Sequence, residues 1–102
     1  MNELALSPGR EAVVFAGQSA VTMSSREIAE LCEKQHKHVM RDIKTMLVQL
    51  GESEEGYAQT WTNPQNGQVY PEYRLPKDLT LTLVAGYNVV LRKRIIDRWL
   101  EL

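Results

Sequence analysis

Apolar side chains recur at three- and four-residue steps in two adjacent stretches, first Ile28, Leu31 and Cys32, then Val39, Ile43, Met46, Leu47 and Leu50. That period is helical, so each stretch is predicted to fold with one face buried. Ser24 starts the first helix as a capping box. Its hydroxyl accepts from the Glu27 N–H, the Glu27 carboxylate reaches back, and Met23 and Ile28 staple the turn. The second helix is predicted from Gln35 to Leu50, with Gly51 as its stop. Beyond the polar linker from Glu52 to Gly56 the period changes to two. Tyr57, Gln59 and Trp61 share one side of the stretch Tyr57 to Thr62, and Val69, Tyr73 and Leu75 are in phase further on. Asn66-Gly67 between them marks a hairpin, and Pro71, lacking an N–H, leaves one edge of the return strand unpaired.

The ends of the chain follow the same logic. Residues 1–10, closing on Ser7-Pro8-Gly9, read as a mobile arm. Ala12 to Phe15 and Ala20 to Met23 are β-prone runs around Gly17-Gln18-Ser19 and predict a small N-terminal hairpin. Leu79 to Val84 alternates leucine and threonine like a strand, yet Pro76 precedes it, and Asp78 as N-cap and Gly86 as C-cap bracket a short helix, which is the reading adopted. Asn88 caps a last helix from Val89 to Glu101, with Leu91, Ile95, Ile96, Trp99 and Leu102 buried and Arg92, Lys93, Arg94 and Arg98 opposite. The expected architecture is α+β and winged helix-turn-helix-like, a single domain over residues 11–102 that would fit as a fragment of a longer chain.

The length of 102 residues fits one domain with one core. The net charge is only −1, but it is segregated. Residues 1–33 hold two basic against five acidic side chains, 34–50 four against one, 51–72 none against four, and 73–102 six against three. The basic blocks fall on the second and last helices, the local footprint that phosphate binding requires, although solvated helix faces would give the same pattern. A single cysteine excludes an internal disulfide, and with no leader-like or membrane-length apolar segment the expected location is cytoplasmic.

Two short helices joined by a tight turn are the layout of a helix-turn-helix, whose second helix reads bases with its N-terminal residues. Gln35, His36, Lys37, His38 and Arg41 are then base-edge or phosphate candidates, and Lys34 and Lys44 phosphate contacts. The following hairpin stands where a wing would, with Asn63, Gln65 and Asn66 at its tip. An ordinary helical hairpin with a solvated charged face, and a plain surface turn, fit the same residues. Trp99, Leu100 and Leu102 suggest a homodimer through the C-terminal helix. Cys32, His36 and His38 are close in sequence, but a turn separates them and no second cysteine exists. They are read as a small core residue and polar helix residues, with no metal, no cofactor and no catalytic group. Neither an oxyanion device nor a phosphate-cradling glycine motif accompanies them, so no enzyme is predicted.

Ser25-Arg26-Glu27-Ile28-Ala29, then Lys34, His36, His38-Val39 and Arg41-Asp42-Ile43, and later Tyr73-Arg74-Leu75 with the Leu79 to Gly86 segment and the helix after it, form a spaced pattern. In this the chain resembles the Rha family of phage regulatory proteins, related in organisation to the N-terminal DNA-binding modules of phage antirepressors, over residues 20–102. The resemblance implies a prophage-encoded transcriptional regulator with a winged-helix-like fold, acting on duplex DNA or, alternatively, as an antirepressor module on a phage repressor. It places family positions at Lys34, His36, His38, Arg41 and Asp42. Two departures stand out: Glu33 where the family's turn would carry glycine, and a strand-like Leu79 to Val84.

Overall fold

A computed structural model of the protein describes residues 21–102. The expected arm at residues 1–10, and the first half of the expected N-terminal hairpin, lie outside the described residues. The elements run β1 (Met23–Ser24), α1 (Ser25–Cys32), α2 (His36–Leu50), β2 (Ala58–Thr62), β3 (Val69–Leu75), α3 (Lys77–Val84) and α4 (Val89–Glu101). Among the described residues, four helices thus accompany a small antiparallel sheet of order β1-β3-β2, with α1, α2 and α3 packed on β3 and α4 on α1 and α3. Met23 and Ser24 pair with Leu75 and Arg74 of β3, and β2 pairs along β3 from Ala58↔Tyr73 to Thr62↔Val69. Because β1 reaches only Arg74 and Leu75, Pro71 has a strand partner on one side alone among the described residues, as its missing donor requires.

The core is the convergence of one face from β1, β3 and each of the four helices. Met23, Ile28, Val39, Ile43, Leu47, Leu75, Val84 and Ile95 have no exposed surface, and Trp99 closes the cluster. Each fully buried aliphatic contributes about 1.5–3 kcal/mol over its exposed state, so Val39, Ile43 and Leu47 alone fix which side of α2 faces inward. Leu50, Ile96 and Leu102, expected on buried stripes, are open to solvent: Leu50 and Leu102 lie at the ends of their helices, and Ile96 is turned about 100° from the core-facing Ile95. Trp99 is a core residue and unavailable to a second copy, whereas Leu100 and Leu102 are exposed.

The helix ends show where local signals hold and where tertiary contacts replace them. Ser24 accepts from the Glu27 N–H at 3.1 Å, but the Glu27 carboxylate takes Arg98 Nε at 2.6 Å, so it ties α1 to α4. Gln35 is the N-cap of α2 and not its first residue, and its side chain makes no cap bond. The N-cap of α3 is Pro76 and its C-cap Ala85, where Asp78 and Gly86 were expected; Asp78 instead sits in the first turn, where its charge suits the helix dipole. The threonines that gave α3 its strand-like period are absorbed by the helix. Thr80 and Thr82 hydroxyls donate to the Pro76 and Asp78 carbonyls at 2.9 and 2.8 Å. Asn88 caps α4 by accepting from the Leu91 N–H at 3.0 Å.

Candidate nucleic-acid interface

The turn between α1 and α2 closes on Glu33, at φ 54 and ψ 41, the only non-glycine residue with positive φ among those described. A left-handed residue at a helix end lets the following N–H groups bond back to the helix carbonyls, and Lys34 N–H does so to Ala29 at 2.9 Å. Glycine would enter this conformation without its steric cost. Arg94 of α4 supports the end of α1, donating to the Leu31 carbonyl at 3.0 Å with Glu33 Oε2 at 3.5 Å.

Lys37, Arg41 and Lys44 then stand on the face of α2 away from Val39, Ile43 and Leu47, and all three are exposed. Lys37 has no ion-pair partner among the described residues. Arg41 lies 3.6 Å from Asp42, and Lys44 lies 3.9 Å from Glu54 of the acidic linker, both as solvent-facing pairs worth about 0–1 kcal/mol and easily exchanged. The first turn of α2 holds no acidic side chain, so the positive end of its dipole adds to this face. Gln35 is exposed and His38 half-buried.

Two of the expected contacts have structural roles. Lys34 Nζ packs over the Tyr87 ring, 4.6 Å from its centroid, and the Tyr87 hydroxyl donates to Asp42 at 2.9 Å. Burial and that bond push the Tyr87 pKa well up. His36 Nε2 lies 2.7 Å from Ser25 Oγ, which also accepts from the Tyr73 N–H at 3.0 Å. One buried hydroxyl thus joins α1, α2 and β3. Burial, with Arg26 close by, lowers the His36 pKa below its usual 6.5, against an opposing pull from Glu72. Cys32 is in the core, where burial raises its thiol pKa.

The hairpin tip is built by its own side chains. Asn63 Oδ1 accepts from the Gln65 N–H and Asn66 Oδ1 from the Gln68 N–H, both at 2.8 Å, and Asn66 Nδ2 donates to the Tyr70 hydroxyl at 3.1 Å. Gly67 is the only tip residue at positive φ, so the turn spans residues 64–67 and is longer than an Asn-Gly pair alone would make it. Gln65 is exposed, while Asn63 and Asn66 are committed to shaping the turn. Between the hairpin and the start of α2 lies a groove of about 440 Å³ lined by His36, Lys37, Met40, Trp61, Asn63 and Tyr70.

One set of residues at this end of the domain was not among the expected contacts. Arg26 Nε donates to Glu72 at 3.0 Å and its guanidinium stacks on Trp61 at 3.9 Å, while Arg74 Nε donates to the other Glu72 oxygen at 2.9 Å. Glu72 and Arg74 share one face of β3, but no local spacing links them to Arg26 or Trp61. Three of the four basic side chains on α4, by contrast, are paired internally: Lys93 with Asp97, Arg94 with Glu33, and Arg98 with Glu27 and Glu101, while Arg92, among the described residues, donates only to the Ala85 carbonyl at 3.4 Å.

Together these elements define a small α+β domain in which a basic helix face lies beside a β-hairpin, and no described helix is long and apolar enough to cross a membrane. The family model of phage regulatory protein Rha matches residues 23–102, and the chain belongs to that family. No curated protein and no solved structure matches it.

Proposed function

We propose that the domain is a phage or prophage transcriptional regulator that binds duplex DNA as a winged helix-turn-helix, with α2 entering the major groove and the β2–β3 hairpin acting as the wing. The observation that carries this reading is the open row of Lys37, Arg41 and Lys44 on α2, of which Lys37 has no ion-pair partner among the described residues. Such a row supplies the phosphate contacts that dominate affinity, and Arg41 has the planar fork suited to a guanine edge. Lys34 and His36 hold the helix in place, and Gln35 and His38 flank its entering end. Selection from random duplex DNA at two salt concentrations tests the reading. Affinity should fall steeply with salt, and Arg41→Ala should cost about 1–3 kcal/mol if it reads a base. Undiminished affinity in a Lys37/Arg41/Lys44 triple alanine variant would defeat it.

A second reading, an antirepressor module that grips a phage repressor, draws on the exposed apolar residues Val89, Val90, Ile96 and Leu100 of α4. Capture of a purified repressor by a protein that shifts no DNA at low salt would favour it. Homodimerisation through Leu100 and Leu102 is compatible with either role, and a monomer by light scattering at high concentration would exclude it.

A further inference from the structure

We propose that Arg26 and Arg74, anchored on the two oxygens of Glu72, form a clamp for a backbone phosphate of the duplex, adjoining the N-terminal end of α2. The inference rests on the DNA-binding reading above and extends it to residues outside α2 and the hairpin tip.

The carboxylate is the reason to look here. Glu72 is only 2% exposed, and a buried charge is costly unless it is paired. A single arginine held by both prongs of its fork would pair it. Instead two arginines approach, one to each oxygen, and each through Nε. One negative charge thus faces two positive ones, and the cluster keeps a net charge of +1. Because Nε is the contact atom, the Nη groups of both arginines have no partner among the described residues. The side chains remain 37% and 46% exposed, so these donors are open to a ligand.

The clamp is also rigid before anything binds. Arg26 is pressed against Trp61, whose ring leans on Tyr70 with centroids 5.5 Å apart, and Arg74 is fixed two residues from Glu72 on the same face of β3. Freezing long side chains is a large part of what a surface arginine loses on binding, and here the fold has already done it. Guanidinium donors match the oxygens of a phosphate better than any other common anion-binding side chain. The position is suitable as well. Arg26 and Glu72 both act on His36, the first residue of α2, and Trp61 shares the groove with His36 and Lys37. A phosphate on this clamp would therefore flank Lys37, which extends the basic surface from the helix onto the sheet.

The test follows the arginine Nε–H signals by NMR in the unsubstituted protein during titration with a selected duplex and, separately, with inorganic phosphate. Duplex should move the Arg26 and Arg74 signals. An Arg26→Gln/Arg74→Gln variant, checked for a native spectrum, should bind duplex at least about tenfold more weakly, with the slope of log affinity against log salt reduced by about one. Duplex binding that requires Lys37 and Arg41 but leaves both Nε–H signals unmoved would overturn the clamp and leave the DNA reading standing. Signals that respond to inorganic phosphate in a protein that binds no duplex would overturn the assignment to a nucleic-acid phosphate along with that reading. The NMR arm needs no substitution, so a variant that fails to fold does not remove the test.

Discussion

Ser25→Ala removes one oxygen from the middle of the domain, and its effect can be worked out from the atoms that oxygen serves. The residue has no exposed surface; its hydroxyl accepts from the Tyr73 N–H at 3.0 Å and lies 2.7 Å from His36 Nε2, with Met40 Sδ at 3.4 Å. With His36 neutral and its proton on Nδ1, the single hydroxyl hydrogen goes to Nε2. Alanine leaves the Tyr73 amide without a partner inside the fold, which costs about 1–3 kcal/mol, and breaks the histidine bond, worth about 0.5–1.5 kcal/mol where water can partly replace it. The expected loss is about 2–4 kcal/mol. Ser24→Ala, which loses only the helix cap, should cost about 1 kcal/mol. Urea titrations at constant m separate the two, and melting should fall by at least about 8 °C for Ser25→Ala in a domain of this size. A loss no larger than that of Ser24→Ala would refute the account of Ser25 as the joint between α1, α2 and β3.

His36 should make the domain sensitive to acid. Its pKa is lowered on folding, so the unfolded chain takes up the proton first, and stability that is full above pH 6.5 is lost as the pH falls through and below that value. Denaturation midpoints between pH 7.5 and 5 should show the decline, and His36→Gln should flatten it. Glu33→Gly should leave stability unchanged or raise it by up to about 1 kcal/mol, since relief of the left-handed strain outweighs one exposed contact with Arg94, whereas Glu33→Val should destabilise; thermal melts decide both. Leu47→Ala, at a position with no exposed surface, should cost about 2–5 kcal/mol by chemical denaturation, while Val48→Ala, on the open side of the same helix, should stay within about 0.5 kcal/mol.

The helices and the hairpin were legible because their signals are local. The 3.6-residue period of α1 and α2, the Ser24 and Asn88 caps and the Gly51 stop each depend on neighbours within a turn, and the structure keeps them all. The α3 caps were misplaced because threonine alternation and the Pro76 start compete, and the outcome turned on hydroxyls bonding back one turn. The sheet order was not legible. A two-residue β1 has no period to read, and its pairing with Leu75 is set by where α1 must begin to bury Ile28. For the candidate site, the α2 face could be read residue by residue, but the structural duties of Lys34 and His36 depend on Tyr87 and Ser25, which helical spacing does not bring to mind.

Charge blocks carried the sequence argument for phosphate binding, and the structure divides them unequally. Two blocks each held an excess of three positive charges. On α4, Arg94 donates to the end of α1 and Arg98 bridges Glu27 and Glu101, so these two arginines reinforce the docking of a helix whose Ile95 and Trp99 are buried in the core. On α2 the acidic partners are peripheral. Asp42 is shared with Tyr87, and Glu54 reaches Lys44 only at 3.9 Å. An anion competing for Arg41 or Lys44 therefore displaces a weak solvent-screened contact, while one competing for Arg98 must displace a contact that links α4 to α1. Equal charge in sequence becomes unequal availability in the fold, and it is on availability that the proposed role of the α2 face rests.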